Sequence, residues 1–214
     1  MSNWKSILSS DSILIPRRLE NRDQDRLQSI YRLLQKTHIE GDLNLRNIPI
    51  TNLGNLQSVG GDLDLHNTKI TNLGNLTSVG GNLWLINTKI MNLGNLTSVG
   101  GNLWLTGTPI TTLGNLTSVG GYLDLSHTPI TTLGNNLTSV GGNLDLWNTK
   151  IINLGNLQSV GGYLNLKGTP IMNLGNLQSV GGRLILENTS ISRLSEEKRD
   201  KMLSRVKIGD EVYL

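Results

Sequence analysis

A twenty-residue unit fills this chain from Gly41 to about Leu194 and recurs almost unchanged along it. Seven full copies and one partial copy each open at a glycine, namely Gly41, Gly61, Gly81, Gly101, Gly121, Gly142, Gly162 and Gly182. Only Asn135-Asn136, which holds one extra asparagine, interrupts the spacing. A fixed period of about 20 residues is typical of a solenoid, in which each unit buries its apolar face against its neighbours. The sequence therefore predicts one repeat domain over residues 41–194.

Each unit begins with a strict alternation of polar and apolar residues. Leu63 and Leu65 alternate with Asp62, Asp64 and His66, which indicates a half-buried strand whose leucines point inward. The glycine pair before them suits a tight corner. The other apolar positions expected to face inward are Ile70, Leu73, Leu76 and Val79. The stretch Asn-Leu-x-Ser-Val near the end of the unit is too short for more than a 3₁₀ turn.

A threonine follows each predicted strand. Thr68 recurs at the same place in every later unit. Because its copies would stack about 4.8 Å apart, we expect the hydroxyls to bond a neighbouring backbone group or one another.

The repeat pattern resembles two related families. From Leu63 to Ile70, the sequence LDLHNTKI resembles the leucine-rich-repeat pattern LxLxxNxL, with threonine in place of asparagine. The segment NLTSVGGNL, which starts at Asn75 and again at Asn95, is similar to repeats of the receptor L-domain type. These resemblances imply a mainly β fold, a right-handed leucine-rich-repeat-like β-solenoid of about eight coils with helical caps at both ends. They also imply a protein-binding role.

Caps are expected because each end of a solenoid exposes a strand edge and the coil interior. Residues 1–40 predict an N-terminal helical cap, with a helix over residues 22–36. The inward face of this helix is predicted to carry Leu27, Ile30, Tyr31 and Leu34. The whole arrangement, from the Ile-Pro-Arg-Arg segment at residues 15–18 to the terminal Val-Tyr-Leu, resembles repeat proteins of bacteriophages and related bacterial genomes.

Residues 195–214 predict a C-terminal cap made of a helix and a strand. Ser195, followed by two glutamates, is a helix-start signal. The face of this helix that packs down is predicted to carry Met202, Leu203 and Val206. Residues 207–214 are expected to form one closing strand.

The positive charge of the chain does not mark a nucleic-acid-binding surface. Between Gly41 and Ile191 the repeats carry six basic and six acidic residues, so the net charge of +3 comes from the end segments. The repeats therefore lack the basic stripe that phosphate binding requires, and direct nucleic-acid binding is not expected.

Composition also limits the chemistry and the compartment. The chain contains no cysteine, so neither disulfides nor thiolate metal sites are available, and we expect no cofactor and no metal. The segment MSNWKSILSSDSILIP lacks the layout of a signal peptide, and no apolar run reaches the length of a membrane span. These observations favour a cytoplasmic protein without a membrane partner.

The outward positions of the predicted strands vary between units and form three parallel columns on one face. The candidate partner-binding residues in these columns are Asp62, Asp64, Trp84, Trp104, Tyr122, Asp124, Asp145, Trp147 and Tyr163. Tryptophan and tyrosine with a charged rim are the residue types that dominate binding hot spots. The alternative is that Trp84 and Trp104 only stabilise the sheet as a cross-strand pair. Because the sheet already has its leucine core, we favour binding.

These residues predict a non-enzymatic scaffold that binds another protein. Carboxylates outnumber bases near the middle of the face, which favours a partner with a basic surface, such as a nucleic-acid-binding groove. Together with the resemblance to phage proteins, this favours a phage-encoded inhibitor of a host defence protein, acting in the host cytoplasm. The oligomeric state stays open.

The alternative is a carbohydrate-binding or polysaccharide-cleaving β-solenoid. Asp124 and Asp145 would lie on adjacent coils about 5 Å apart, the separation of a retaining glycosidase pair. Nearby aromatic rings could then stack on sugar rings. No deep pocket is implied, however, and no histidine is placed to act with the pair, so we assign no catalytic residue.

Overall fold

The chain winds into a parallel β-solenoid of about seven full turns, as the repeat predicts. The structure, a computed structural model, describes residues 21–214, with side chains from Leu27 onward. The start of the predicted N-terminal cap, including the Ile-Pro-Arg-Arg segment, lies outside the described residues. Each turn adds one two-residue strand to each of two nine-stranded parallel sheets, which we call sheet I and sheet II.

The elements of the fold are short and regularly spaced. Sheet I contains β1 (His38–Ile39), β3 (Ser58–Val59), β5 (Ser78–Val79), β7 (Ser98–Val99), β9 (Ser118–Val119), β11 (Ser139–Val140), β13 (Ser159–Val160), β15 (Ser179–Val180) and β17 (Lys207–Ile208). Sheet II contains β2 (Leu43–Asn44), β4 (Leu63–Asp64), β6 (Leu83–Trp84), β8 (Leu103–Trp104), β10 (Leu123–Asp124), β12 (Leu144–Asp145), β14 (Leu164–Asn165), β16 (Leu184–Ile185) and β18 (Val212–Tyr213). The helices are α1 (Asn21–Leu34) and α2 (Glu196–Leu203).

Sheet I corrects a prediction, because only a 3₁₀ turn was expected at the Ser-Val dipeptide. There the chain forms a second ladder, in which Ser78 and Val79 pair in register with Ser98 and Val99. The valine side chain is buried and the serine side chain faces outward. Two residues are too few to show an alternation in sequence, so the strand becomes visible only through its pairing with neighbouring turns.

Backbone hydrogen bonds connect each turn to both of its neighbours. In sheet I the amide of Gly80 donates to the carbonyl of Val59 in the preceding turn over 2.8 Å. In sheet II the amide of Leu65 donates to the carbonyl of Trp84 in the following turn over 3.0 Å. Both ladders connect equivalent residues one repeat apart, so the side chains stack in columns.

One apolar core runs the length of the coil, and the inward residues predicted from the repeat are buried in it. In the second turn these are Leu63, Leu65, Ile70, Leu73, Leu76 and Val79, each at most 1% exposed. Leucine, isoleucine and valine fill this narrow interior without aromatic residues. The extra residue of Asn135-Asn136 lies in an exposed turn and does not disturb the core, because Leu123 still pairs with Leu144.

The polar residues that follow the strand have two distinct roles. The hydroxyl of Thr88 donates to the carbonyl of Leu85 over 2.6 Å, and later threonines do the same within their own turns. Of the two predicted alternatives, these threonines therefore bond a nearby backbone group rather than one another. The preceding position, Asn67 in the second turn, has a positive φ of 59°, which asparagine and glycine tolerate best. The sequence shows this requirement, since asparagine, glycine and one histidine occupy the position throughout.

Helix α1 covers the first turn, close to the predicted range. Leu27, Ile30 and Leu34 are buried in the common core, and Tyr31 is half-buried. The carbonyl of Leu34 accepts a hydrogen bond from the amide of Asn55 over 2.9 Å. The helix end therefore takes the place of a preceding coil.

The C-terminal segment is more complex than one closing strand. Helix α2 begins after Ser195 and lies within the last turn, between β16 and β17. Val206 is buried, and Met202 and Leu203 pack partly buried against the core, as predicted. Residues 207–214 then supply two strands, one for each sheet, because the turn must complete both ladders.

The glycine pairs are required by the close approach of neighbouring turns. A Cβ atom on Gly100 would overlap the backbone carbonyl of Gly80, and the same holds for its equivalents in other turns. In the first turn, where no coil precedes, the chain carries Glu40 at this position. A side chain is thus tolerated only where stacking does not exclude it.

We expect Gly100→Ala to lower the free energy of unfolding by about 1–3 kcal/mol, the usual cost of overpacking. The matched control is Gly41→Ala, because nothing lies within 4 Å of a Cβ placed there. Chemical denaturation of both variants measures the difference. An equal effect of the two substitutions would show that the glycines serve something other than close stacking.

Candidate functional site

The outward side of sheet II, which we call face II, carries the three predicted columns. Trp84 pairs in register with Trp104, and Asp124 pairs with Asp145. Most of these side chains are half-buried by their neighbours, whereas Trp147 is 44% exposed. Face II therefore brings the nine sequence-predicted residues onto one surface.

The two central tryptophans form a parallel stack. The ring centroids of Trp84 and Trp104 lie 4.9 Å apart and the ring planes differ by 5°. Two indoles this close cannot lie flat side by side on the sheet, so they stand upright with one face of each ring against the other. The stack presents ring edges to solvent, and the second face of Trp104 is directed toward the next turn, which carries Asp124.

Most polar residues of the central column have a structural role. Their Oδ1 atoms accept the amide two residues ahead, as Asp64 accepts from His66 over 2.9 Å. The same bond is made by Asn44, Asp124, Asp145 and Asn165. Tryptophan has no side-chain oxygen to accept this bond. The turns that carry Trp84 and Trp104 therefore lack the backbone support that neighbouring turns receive. Their presence costs the coil an interaction, which favours a role beyond folding.

Asp62 belongs to a second structural ladder. Its Oδ1 accepts the amide of Asn82 over 2.7 Å, and Asn82 accepts in turn from Asn102 over 2.8 Å. The ladder reaches the amide of Tyr122, whose side chain cannot extend it. Sequence reasoning placed Asp62 in the binding site, and the structure gives its carboxylate this supporting contact.

Asp124 and Asp145 form an uncompensated pair of carboxylates. Burial raises the pKa of Asp145, and the charge of Asp124 raises it further, although bonds from Trp147 and Asn165 oppose the shift. No ion pair among the described residues involves either aspartate. Both hydrogen bonds to Asp124, from the amide and hydroxyl of Ser126, reach its Oδ1 and leave Oδ2 available.

Tyr122 and Tyr163 flank this pair on one side. Their ring centroids lie 6.4 Å apart with planes tilted by 58°. Burial raises the pKa of Tyr122, and the charges of Asp124 and Asp145 raise it further. Burial also raises the pKa of Tyr163. Both phenols therefore stay protonated.

Trp147 flanks the carboxylates on the other side and is held by a histidine that the sequence analysis left out of the site. The rings of His127 and Trp147 meet edge to face, with centroids 4.5 Å apart. His127 occupies the positive-φ position of its turn, and its Nδ1 lies 3.1 Å from the side-chain amide of Asn148. A histidine among asparagines and glycines at this position was the available sequence signal.

Face II concentrates the acidic residues of the repeats. All six acidic residues between Gly41 and Ile191 lie in its columns, namely Asp42, Asp62, Asp64, Asp124, Asp145 and Glu187. Three bases share the face, Arg46, Lys167 and Arg183. Of these, Lys167 pairs with Glu187 and Arg183 with Asp210, so the middle of the face keeps a negative potential.

A groove runs along sheet I, on the other side of the coil's core from face II. Its volume is about 510 Å³, and it is lined by serines and glycines such as Ser98 and Gly100. Within residues 21–214, no group of three or more histidine, cysteine, aspartate or glutamate side chains is arranged to hold a metal ion. Neither helix in this range combines the length and apolar character needed to cross a bilayer.

Comparison with known proteins adds no family to this description. No protein-family model matches the chain, and no curated protein sequence matches it significantly. The similarity to leucine-rich repeats and receptor L-domains is therefore a similarity of sequence pattern.

We expect Asp145→Asn to raise the free energy of unfolding at neutral pH by about 0.2–1 kcal/mol, the range of cross-strand pairs, because it removes a like-charge contact. The asparagine keeps the oxygen that accepts the amide of Trp147 over 2.8 Å. In the wild type the folded-state pKa of Asp145 lies above 3.8, so protonation relieves the repulsion as the pH falls. The gain in the free energy of unfolding is therefore complete above the folded-state pKa of Asp145 and disappears as the pH falls toward 3.8.

The control for this prediction is Asp64→Asn. Asp64 makes the same bond to its own backbone, but its column neighbours are Asn44 and Trp84 rather than a carboxylate. Urea denaturation between pH 4 and pH 7.5 compares the variants. An equal gain for both, or a gain for Asp145→Asn that does not depend on pH, would contradict the prediction.

Proposed function

We propose that this chain is a non-enzymatic protein-binding module that captures another protein on face II. The observation that carries the proposal is the upright Trp84–Trp104 stack on an acidic, otherwise polar surface. The stack replaces two backbone-supporting side chains, so folding alone does not account for it. Buried tryptophan is among the strongest contributors to protein–protein hot spots.

The shape of face II suits a protein surface. In its central column the tryptophan side chains project farther from the sheet than the side chains of Asp124 and Asp145. The resulting uneven surface can be complementary in shape to a folded partner. The rim is polar, as in known interfaces. The surface is also rigid, since every turn is fixed by two ladders, and a rigid surface loses little entropy on binding.

The charge of face II favours a basic partner. Lys167 and Arg183, the bases toward the C-terminal end of the face, are paired to carboxylates, so the middle of the face attracts positive charge and would speed the encounter with such a partner. We further propose that the partner carries a basic, nucleic-acid-binding surface. A phage-encoded inhibitor of a host defence protein, acting in the host cytoplasm, is the narrowest form of this proposal.

Carbohydrate binding is the less favoured alternative. Sugars stack on aromatic faces that lie open to solvent, and in the Trp84–Trp104 stack each ring covers one face of the other. The groove of the solenoid also lies on sheet I, away from Asp124 and Asp145.

The test uses a variant that combines Trp84→Ala and Trp104→Ala with Asp124→Asn, which removes the charge but keeps the oxygen that accepts the amide of Ser126. Affinity capture with the wild-type chain, followed by mass spectrometry, identifies the partner, and calorimetry with the purified partner then compares affinities. We expect the triple variant to raise the dissociation constant by at least about 30-fold, because one hot spot contributes about 2 kcal/mol. Its thermal unfolding should change little.

The control variant combines Met91→Ala with Met172→Ala. These residues are exposed and apolar, at 55% and 67%, but they lie outside the columns of face II. We expect this variant to bind as the wild type does. The proposal fails if both variants bind equally well, or if the triple variant loses stability in proportion to its loss of binding. Specific capture of a polysaccharide by the wild type would favour the alternative instead.

A further inference from the structure

Face II contains a step between its fourth and sixth turns. Trp104 stands upright, and the next two residues of its column are the short side chains of Asp124 and Asp145. Since turns are about 4.8 Å apart, the space above the two carboxylates is about two turns long. We call this space, bounded by Trp104, Tyr122, Tyr163 and Trp147, the notch.

The walls of the notch are aromatic and its floor is anionic. Trp84 covers one face of Trp104 and leaves the other face directed into the notch. The tyrosines border one side and the half-exposed Trp147 borders the other. Aromatic faces attract cations through the ring quadrupole, and the carboxylates on the floor add a direct charge.

We propose that the notch receives an arginine side chain of the protein partner. The inference rests on the proposed function and assigns the chemistry of one contact within it. A guanidinium can lie flat on the free face of Trp104 while its edge donates to carboxylate oxygens on the floor. The unused Oδ2 of Asp124 supplies one acceptor for it.

Arginine fits this geometry better than lysine. The guanidinium is planar, stacks on aromatic rings and donates in a fixed fork, whereas the ammonium of lysine is a compact, strongly hydrated charge. Its arrival also supplies the positive charge that the chain itself does not provide. No basic side chain among residues 27–214 pairs with Asp124 or Asp145.

The experiment titrates ¹⁵N-labelled full-length chain with capped tripeptides and follows the indole N–H signals by NMR. The probes are Gly-Arg-Gly, Gly-Lys-Gly and Gly-citrulline-Gly, the last being a neutral shape analogue of arginine. We expect the arginine peptide to shift the Trp104 and Trp147 signals to saturation. The lysine peptide should bind several-fold more weakly, and the citrulline peptide should leave the signals in place.

The double variant Asp124→Asn with Asp145→Asn should weaken the arginine titration at least tenfold. Its matched control, Glu196→Gln with Glu197→Gln, removes the same charge from the first turn of helix α2, outside the columns of face II, and should titrate as the wild type does. Unchanged spectra elsewhere would show that the variants are folded. The inference is overturned if citrulline produces the same shifts, if the double variant binds equally, or if the arginine peptide does not bind.

The outcomes separate this inference from the proposed function. If partner binding depends on Trp84 and Trp104 while the arginine peptide leaves the notch signals unchanged, the inference fails and the proposed function stands. If the peptide binds but the triple variant still captures the partner, the notch is a cation site and the proposed use of face II fails.

Discussion

The fold depends on backbone hydrogen bonds between turns that are one repeat apart. Each strand has only two residues, so no strand is stable alone, and stability comes from eight equivalent pairings in each of two sheets. The pairing requires turns to approach closely, which is why glycine recurs at Gly80 and Gly100 and is replaced by Glu40 at the uncovered first turn. Every column on the surface follows from that register.

The sequence was sufficient to predict the parts of the fold that repeat with an apolar signature. The alternation around Leu63 and Leu65 predicted the strands of sheet II, and the 20-residue period predicted the solenoid. Sheet I was missed because Ser78 and Val79 are too short a segment to show a pattern on their own. The positive φ at Asn67 was visible only as a preference for asparagine and glycine across turns.

The candidate site was predicted as a set of residues but not as a geometry. The alternation of residues places Asp62 and Asp124 on face II in the same way. In the structure, however, the carboxylate of Asp62 accepts a backbone amide of the next turn, whereas Asp124 lies beside a second carboxylate, Asp145. The orientation of the Trp84–Trp104 rings and the contact between His127 and Trp147 depend on rotamers that a repeat pattern does not encode. Polar residues in a solenoid therefore have to be sorted by their bonds before any is assigned to binding.

Backbone hydrogen bonds between turns run in both directions along the solenoid, which has an electrostatic consequence. The amide of Gly80 points toward the preceding turn and the amide of Leu65 toward the following turn, so their peptide dipoles oppose each other along the axis. Unlike the aligned dipoles of an α-helix, these contributions largely cancel, so the coil has little axial macrodipole. The long-range electrostatic field of the repeats is then set by the charged side chains. A few carboxylates are therefore enough to make one side of a neutral coil negative.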